Sequence, residues 1–276
     1  MIQYNWTNVS KVIKGEVITL QNEFLRLLEP KLLGIYLHGS LALGGFQPAR
    51  SDIDLIAVVT EQVDVSLKRE LIELLLRISN MPRPLDVYVL AQKDLFPFQP
   101  PLPFELHYNE HLRNTLQQEI RNGNWQHWNH TTHSDVDLTL SLAILQRSGI
   151  VLTGQPINDT LPAIPEATFR DALVQALASA RAKLPQDPVS FVLNACRTFA
   201  HFQDGSILSK DAGGEWGLLH LPEPFHPLIQ QSLALYRGEA LKRAVGRTIL
   251  DDFTAYISTT ITKEHTAQRE GPLSAP

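Results

Sequence analysis

The stretch from Leu37 to Val59, LHGSLALGGFQPARSDIDLIAVV, constrains this chain more than any other. One apolar run, Leu32–Leu37, leads into Gly39-Ser40. A second, Ile53–Val59, opens on Asp52 and Asp54. Both runs are short and apolar, the pattern of buried β-strands. Alternate residues of a strand share a face, so Asp52 and Asp54 point into one site. Two carboxylates on one face repel unless a hard cation lies between them. Mg²⁺ suits that place, because it binds through one or two carboxylates and takes its other oxygens from phosphate and water. Gly39 lets backbone amides come close to a phosphate, and Ser40 adds a hydroxyl donor.

The flanking elements give this stretch a sheet to sit in. Apolar positions between Gly15 and Leu28 recur at helical spacing, and Pro30 stops the helix. Val63–Ile78 predicts a second helix and Leu85–Leu90 a third strand. Helix, strand, turn, strand, helix, strand argues for a sheet with helices packed on it. Asp86 starts the third strand. If that strand neighbours Ile53–Val59, three acids and a Gly-Ser turn converge, the set needed for metal-assisted attack on a nucleotide α-phosphate.

Beyond, Phe96–Pro103 (FPFQPPLP) reads as a loop, Glu105–Arg121 as helical, and Gly123–Thr132 as a polar, aromatic loop. In that loop His127 and His130, with His133 just after, are interleaved with Trp125 and Trp128. With no cysteine nearby they read as loop residues rather than a metal site. Ser134–Ser148 predicts a helix capped by Ser134, with Asp135 and Asp137 in its first turn. Ile150–Leu152 is a short buried segment. The proline-rich Gln155–Glu166 marks a domain connection. After it come helical patterns at Ala167–Leu184, Val189–Gln203, Pro227–Tyr236 and Glu239–Lys263, then a disordered tail from Glu264 to Pro276. The expected domains are therefore 1–157 and 158–276.

Composition narrows the partners. A chain of 276 residues with net charge −5 offers no basic face for long nucleic acid and mildly favours a cationic small substrate. The single cysteine, Cys196, excludes an intramolecular disulfide and a multi-cysteine metal site, and reads as a small core residue. No run has the length of a signal peptide or a membrane span. The expectation is a cytoplasmic monomer with no membrane partner.

Gly39-Ser40, the intervening stretch 41–51, Asp52-x-Asp54 and an acid on a later strand together resemble the nucleotidyltransferase superfamily signature. From about Leu20 to Thr262 the chain resembles the streptomycin/spectinomycin adenylyltransferases, aminoglycoside-resistance enzymes with a helical C-terminal domain. The resemblance rests on Gly44-Gly45, Pro48, Ser51–Asp54, Phe104–Asn114, Asp135-x-Asp137-Leu138, Gly154-Gln155-Pro156, Val192–Arg197, Gly205, Lys210-Asp211 and Glu215-Trp216. It implies an α+β fold: an N-terminal mixed sheet with flanking helices, then an all-α bundle that closes an interdomain active site. It implies ATP and two Mg²⁺ ions as cofactors and a small cationic aminocyclitol as substrate. Gly39 and Ser40 would hold phosphates, Asp52, Asp54 and Asp86 the metal, and Arg197 and Lys210 the triphosphate. Asp86 stands where the family places its catalytic base, usually Glu, one methylene longer. Glu105, His111 and Asp187 fall at drug-contacting positions, and Glu110 adds to the acidic surroundings that attract a cation.

Two departures bear on the drug. Members accepting both drugs carry Trp where this chain has His111, and an extra acid near the position of Lys183. Loss of an aromatic platform and a carboxylate favours spectinomycin over the guanidinium-bearing streptomycin. Two other readings keep parts of the motif: adenylylation of a protein or tRNA hydroxyl, and a nucleotide-binding module without catalysis. The missing basic patch speaks against tRNA, and the intact acids against a binding module.

Overall fold

The computed structural model describes residues 4–239 and 246–270 and divides into two compact units, Met1–Ile164 and Pro165–Pro276. The division falls later than the expected boundary of 157/158, because Ile157–Thr160 forms a short helix that packs on the first unit. In chain order the first unit contains α1 (Lys11–Leu28), β1 (Leu32–Leu37), α2 (Gly39–Ala42), β2 (Ile53–Val59), α3 (Val65–Ile78), β3 (Leu85–Ala91) and α4 (Gln92–Leu95). There follow β4 (Leu102–Phe104), β5 (Leu106–Tyr108), α5 (Arg113–Asn122), β6 (His133–Asp135), α6 (Asp137–Ser148), β7 (Ile150–Gly154) and α7 (Ile157–Thr160). The mixed sheet has the order β5-β3-β2-β1-β7, with β2 and β3 parallel and the other pairs antiparallel.

The strand period sorts the two faces of this sheet. Ile53, Leu55, Ala57 and Val59 of β2, and Leu85, Val87, Val89 and Ala91 of β3, point one way. They are buried in a core with Val17, Leu20 and Phe24 of α1 and Leu71 and Leu75 of α3. The alternate positions, Asp54 and Asp86 among them, must then face away from that core. Helix α1 begins earlier than the apolar period suggested, at Lys11, because Ser10 caps it by accepting from the Ile13 amide (3.4 Å).

Several elements differ from the sequence expectation. The stretch read as one helix from Glu105 is strand β5 followed by α5, which ends on left-handed Gly123. Buried Leu106 and Tyr108 flank His107, a strand alternation too short to register as a period. Leu102–Phe104, placed in a loop, is β4, and it pairs with β6. Ser134 lies in β6 opposite Pro103 and caps nothing; the helix starts at Asp137, whose amide is held by Asp135 Oδ1 (2.8 Å).

The second unit contains α8 (Glu166–Ala182), α9 (Pro188–Asp204), α10 (Lys210–His220), α11 (His226–Tyr236) and α12 (Arg247–Glu270). Helix α9 is buried on most of its circumference. Three glycines bring α10 onto it. A Cβ at Gly213 would press on the Arg197 backbone, and one at Gly217 on Cys196 Sγ. Cys196 is a core residue, and burial pushes its thiol up to about 12. Arg237, just after α11, grips Asp211 in the first turn of α10 with two bonds (2.7 and 2.8 Å). The expected helix Glu239–Lys263 is α12, starting at Arg247; residues 240–245 lie outside the described residues. Residues 264–270, expected as a disordered tail, continue α12, and 271–276 lie outside the described residues. No helix among the described residues is long and apolar enough to cross a membrane.

One buried acid braces the entrance to β2 and β3. Glu16 of α1 is 4% exposed and accepts from the Arg83 amide (3.1 Å), while Arg83 Nε donates to the Ser51 carbonyl (2.9 Å). Burial raises the Glu16 carboxyl to about 7, against the pull of the Arg83 amide. A raised acid favours the folded state below the unfolded value of 4.5 and loses that contribution as pH climbs through about 7. Glu16→Gln, neutral at every pH, is therefore expected to melt about 2–4 °C above the parent at pH 8, as for a change of ~1 kcal/mol, with no advantage at pH 4.5. Thermal melts at the two pH values check this.

Candidate active site

The site begins where β1 ends. Gly39 adopts φ +63°, a left-handed conformation that a side chain disfavours, and a Cβ there would collide with the Asp54 carboxylate. Both facts require glycine. The preceding amide, His38 N–H, donates to the Asp54 carbonyl (3.1 Å) and fastens the turn to β2. Next to it, Ser40 Oγ is buried with no hydrogen-bond partner. An orphaned hydroxyl of this kind costs about 1–3 kcal/mol, which marks a place where a ligand oxygen belongs.

The acids are set by strand register. Asp54 lies directly opposite Asp86 in the parallel β2–β3 pair, so both carboxylates leave the same face on strands ~4.8 Å apart. Asp52 is exposed one step ahead of β2, where the Ile53 amide bonds the Pro84 carbonyl (2.9 Å). The donor set is all oxygen: neighbouring carboxylates and an unmatched hydroxyl. Among the described residues no group of three or more histidine, cysteine or acidic side chains is placed to hold a metal ion by itself. Oxygen donors are the type Mg²⁺ takes, and that ion draws few of its ligands from protein.

Two histidines at the site were not singled out from the sequence. His38 is 7% exposed, and burial pushes its imidazole down to about 4 despite the nearby Asp86 charge; it is neutral at pH 7. His107 of β5 places Nε2 3.0 Å from Asp86 Oδ1. Its ring stacks on Tyr88 at 3.8 Å, and Tyr88 donates its hydroxyl to Asp135 (2.6 Å). The Leu106-His107-Tyr108 alternation was the signal that could have found it.

The remaining sequence candidates sit as follows. Glu105 pairs with Lys68 of α3 (2.8 Å), both side chains under a tenth exposed, and accepts from the Val63 amide (3.0 Å). The pair borders a cavity of about 230 Å³ that His107 also lines. Burial pushes the Glu110 carboxyl up, but Arg113, Ser79 and Tyr108 outweigh it and hold it at about 2. His111 is exposed in the turn between β5 and α5. In the helical unit Asp187 caps α9 by accepting from the Ser190 amide (3.0 Å), ahead of Pro188. Lys210 Nζ reaches Ser190 Oγ (3.3 Å). Ser190, Asn194 and Arg197 follow one another along one face of α9. Asn194 Oδ1 there is buried without a partner.

Residues 18–112 match the family model of the nucleotidyltransferase domain, and residues 159–260 that of the aminoglycoside adenylyltransferase C-terminal domain. An aminoglycoside (3'') (9) adenylyltransferase of Escherichia coli is 30% identical over 266 residues, covering 92% of this chain and 98% of that protein. A spectinomycin 9-adenylyltransferase of Campylobacter jejuni is 29% identical over 217 residues, covering 77% and 81%. In fold, the chain is similar to the crystal structure of a spectinomycin adenyltransferase from Enterococcus faecialis with ATP and spectinomycin. The TM-score is 0.76 at 22% identity, over 90% of this chain and 99% of that one.

The turn yields a paired prediction for the ligand-free protein. Gly39→Ala is expected to lose about 1–3 kcal/mol, from the left-handed backbone and the displaced Asp54. Ser40→Ala, which removes an orphaned hydroxyl, is expected to keep or gain up to ~1 kcal/mol. Urea denaturation of the two variants reads both.

Proposed function

Since this chain belongs to the aminoglycoside adenylyltransferase family and is a nucleotidyltransferase, we propose that it transfers AMP from ATP to a hydroxyl of an aminocyclitol antibiotic, with spectinomycin preferred over streptomycin. The observation that carries this reading is the Asp54–Asp86 register beside an unsatisfied Ser40 hydroxyl.

In this reaction Asp86 takes the proton of the acceptor hydroxyl. The freed oxygen pair bonds to the α-phosphorus, and the bond from that phosphorus to the pyrophosphate oxygen breaks. Ser40 Oγ donates to a phosphate oxygen, and Gly39 makes the left-handed turn that presents it. Asp52 and Asp54 would hold Mg²⁺, which when bound would offset phosphate charge and polarise the α-phosphate, leaving Asp86 as the base. Arg197 and Lys210 supply positive charge to the triphosphate. Asp187 and His111 serve the drug, and the net negative charge of the chain helps to draw in its ammonium groups; Glu105, expected among the drug contacts, is instead buried against Lys68.

The preference between drugs rests on two exposed residues, because relatives named for one position and for two are about equally similar. His111 offers a smaller ring than Trp for a guanidinium to stack on. Lys183, at the C-cap of α8, places a cation where a carboxylate would pair with that group.

Pyrophosphate release from ATP and Mg²⁺ over a panel of aminoglycosides tests the proposal. The expected result is spectinomycin-dependent release, with kcat/KM for streptomycin at least ~10-fold lower, a discrimination of about 1.4 kcal/mol. Equal turnover of the two drugs sinks the preference. Asp86→Ala is expected to lower kcat by about 10²–10⁴, the usual contribution of a general base. Arg197→Ala is expected to raise the KM for ATP about tenfold, a loss of ~1.4 kcal/mol of binding.

A further inference from the structure

We propose that His107 is the positioning residue for Asp86: it fixes one carboxylate oxygen so that the other faces the acceptor hydroxyl. The inference rests on the transfer reaction proposed above and assigns a role that the Gly-Ser and acid motifs do not include.

Asp86 and Tyr88 leave the same face of β3, and Tyr88 stands opposite His107 in the antiparallel β3–β5 pair. His107 is thus the diagonal neighbour of Asp86, within reach of a long side chain. Its Nε2 lies 3.0 Å from Asp86 Oδ1. Two groups meet Nε2, the Asp86 oxygen at 3.0 Å and the Asn109 amide nitrogen at 3.4 Å; the nearer is a carboxylate oxygen, which accepts, and the tautomer that serves it carries the proton on Nε2. Oδ2 is then the oxygen left to receive a proton, on a side chain still 34% exposed.

The imidazole has little freedom to leave this pose. It is 12% exposed in its side chain, stacked on Tyr88 with an interplanar angle of 12°, and met edge-on by Phe104 at 5.8 Å. Its other nitrogen, Nδ1, lies 3.9 Å from Asp135 Oδ2, too far for a hydrogen bond. That oxygen is taken by the Tyr88 hydroxyl, and Asp135 Oδ1 by the Asp137 amide. Asp135 therefore acts on the ring through Tyr88, not by competing for its proton. Strand pairing and stack orient one ring nitrogen at one carboxylate oxygen. An Asp carboxylate hangs on a single methylene, so fixing Oδ1 fixes the direction of Oδ2.

Positioning of a base appears in turnover rather than in substrate affinity. His107→Phe keeps a ring on Tyr88 and loses the donor. It is expected to lower kcat about 30-fold, in the range of a misplaced catalytic group, with KM for ATP and acceptor within about threefold. His107→Gln restores an N–H and is expected to return kcat to within about fivefold of the parent. Unchanged kcat in His107→Phe, a loss carried by KM, or equal losses in Phe and Gln overturn the assignment. Should His107→Phe fail to fold by circular dichroism, Asp135→Asn decides: kcat lowered about 3–10-fold at constant KM supports it, and unchanged kcat overturns it. Absence of acceptor-dependent pyrophosphate release by the parent chain overturns the transfer reaction itself, before any variant is made. Release by the parent with no effect at His107 overturns only this inference.

Discussion

The parallel register that sets Asp54 beside Asp86 is the constraint on which the N-terminal unit depends. Like charges on neighbouring strands repel, and the register that brings them together must be held by something else. The other face of the sheet holds it. A slip of one residue would turn Leu55, Ala57 and Val59 out of the core and both acids into it. Burying three large aliphatic groups and an alanine per strand thus enforces a polar arrangement that would not form by itself. The parallel pairing also explains α3, since strands running the same way need a crossover, and this one buries Leu71 and Leu75 on the same core.

The ends of these strands are fastened by polar contacts that do not touch the carboxylates. Arg83 bonds the Ser51 carbonyl and is itself held by Glu16, so the chain enters β2 and β3 in a fixed relation. On the turn, Gly39 leaves room for the Asp54 side chain that any other residue would fill. Some of this geometry costs stability: a buried hydroxyl at Ser40 without a partner, and a burial-raised acid at Glu16. Sites that carry such local penalties are where a fold has given up stability for binding.

How far the sequence revealed this depends on the length of each pattern. Strands β1, β2 and β3 run six or seven residues, long enough for apolar runs to show, and Asp52, Asp54 and Asp86 follow from their period. Strands β4, β5 and β6 have three residues each, too few for any period, and all three lay hidden in loop or helix readings. His107 was missed for that reason alone. Glu105 illustrates a different limit. It stood out as an acid near the motif, but its partner Lys68 lies on α3, and a pairing across that separation leaves no trace in composition. Ser134 was a good cap by type, yet Asp135 made the bond, because strand pairing with Pro103 had already claimed the serine's backbone.

The residues proposed for chemistry and those proposed for selectivity occupy different kinds of position. Asp54 and Asp86 stand on strands whose alternate residues are fully buried, so moving either acid would disturb the core. His111 sits exposed in a turn and Lys183 exposed at the end of α8, where substitution alters no packing. Changes at such positions usually cost less than 0.5 kcal/mol in stability. On the proposed assignment, a change at either position would alter acceptor choice without disturbing the frame that carries the acids. The packing constraint lies in the strands, and the freedom lies in the turn after β5 and the cap of α8.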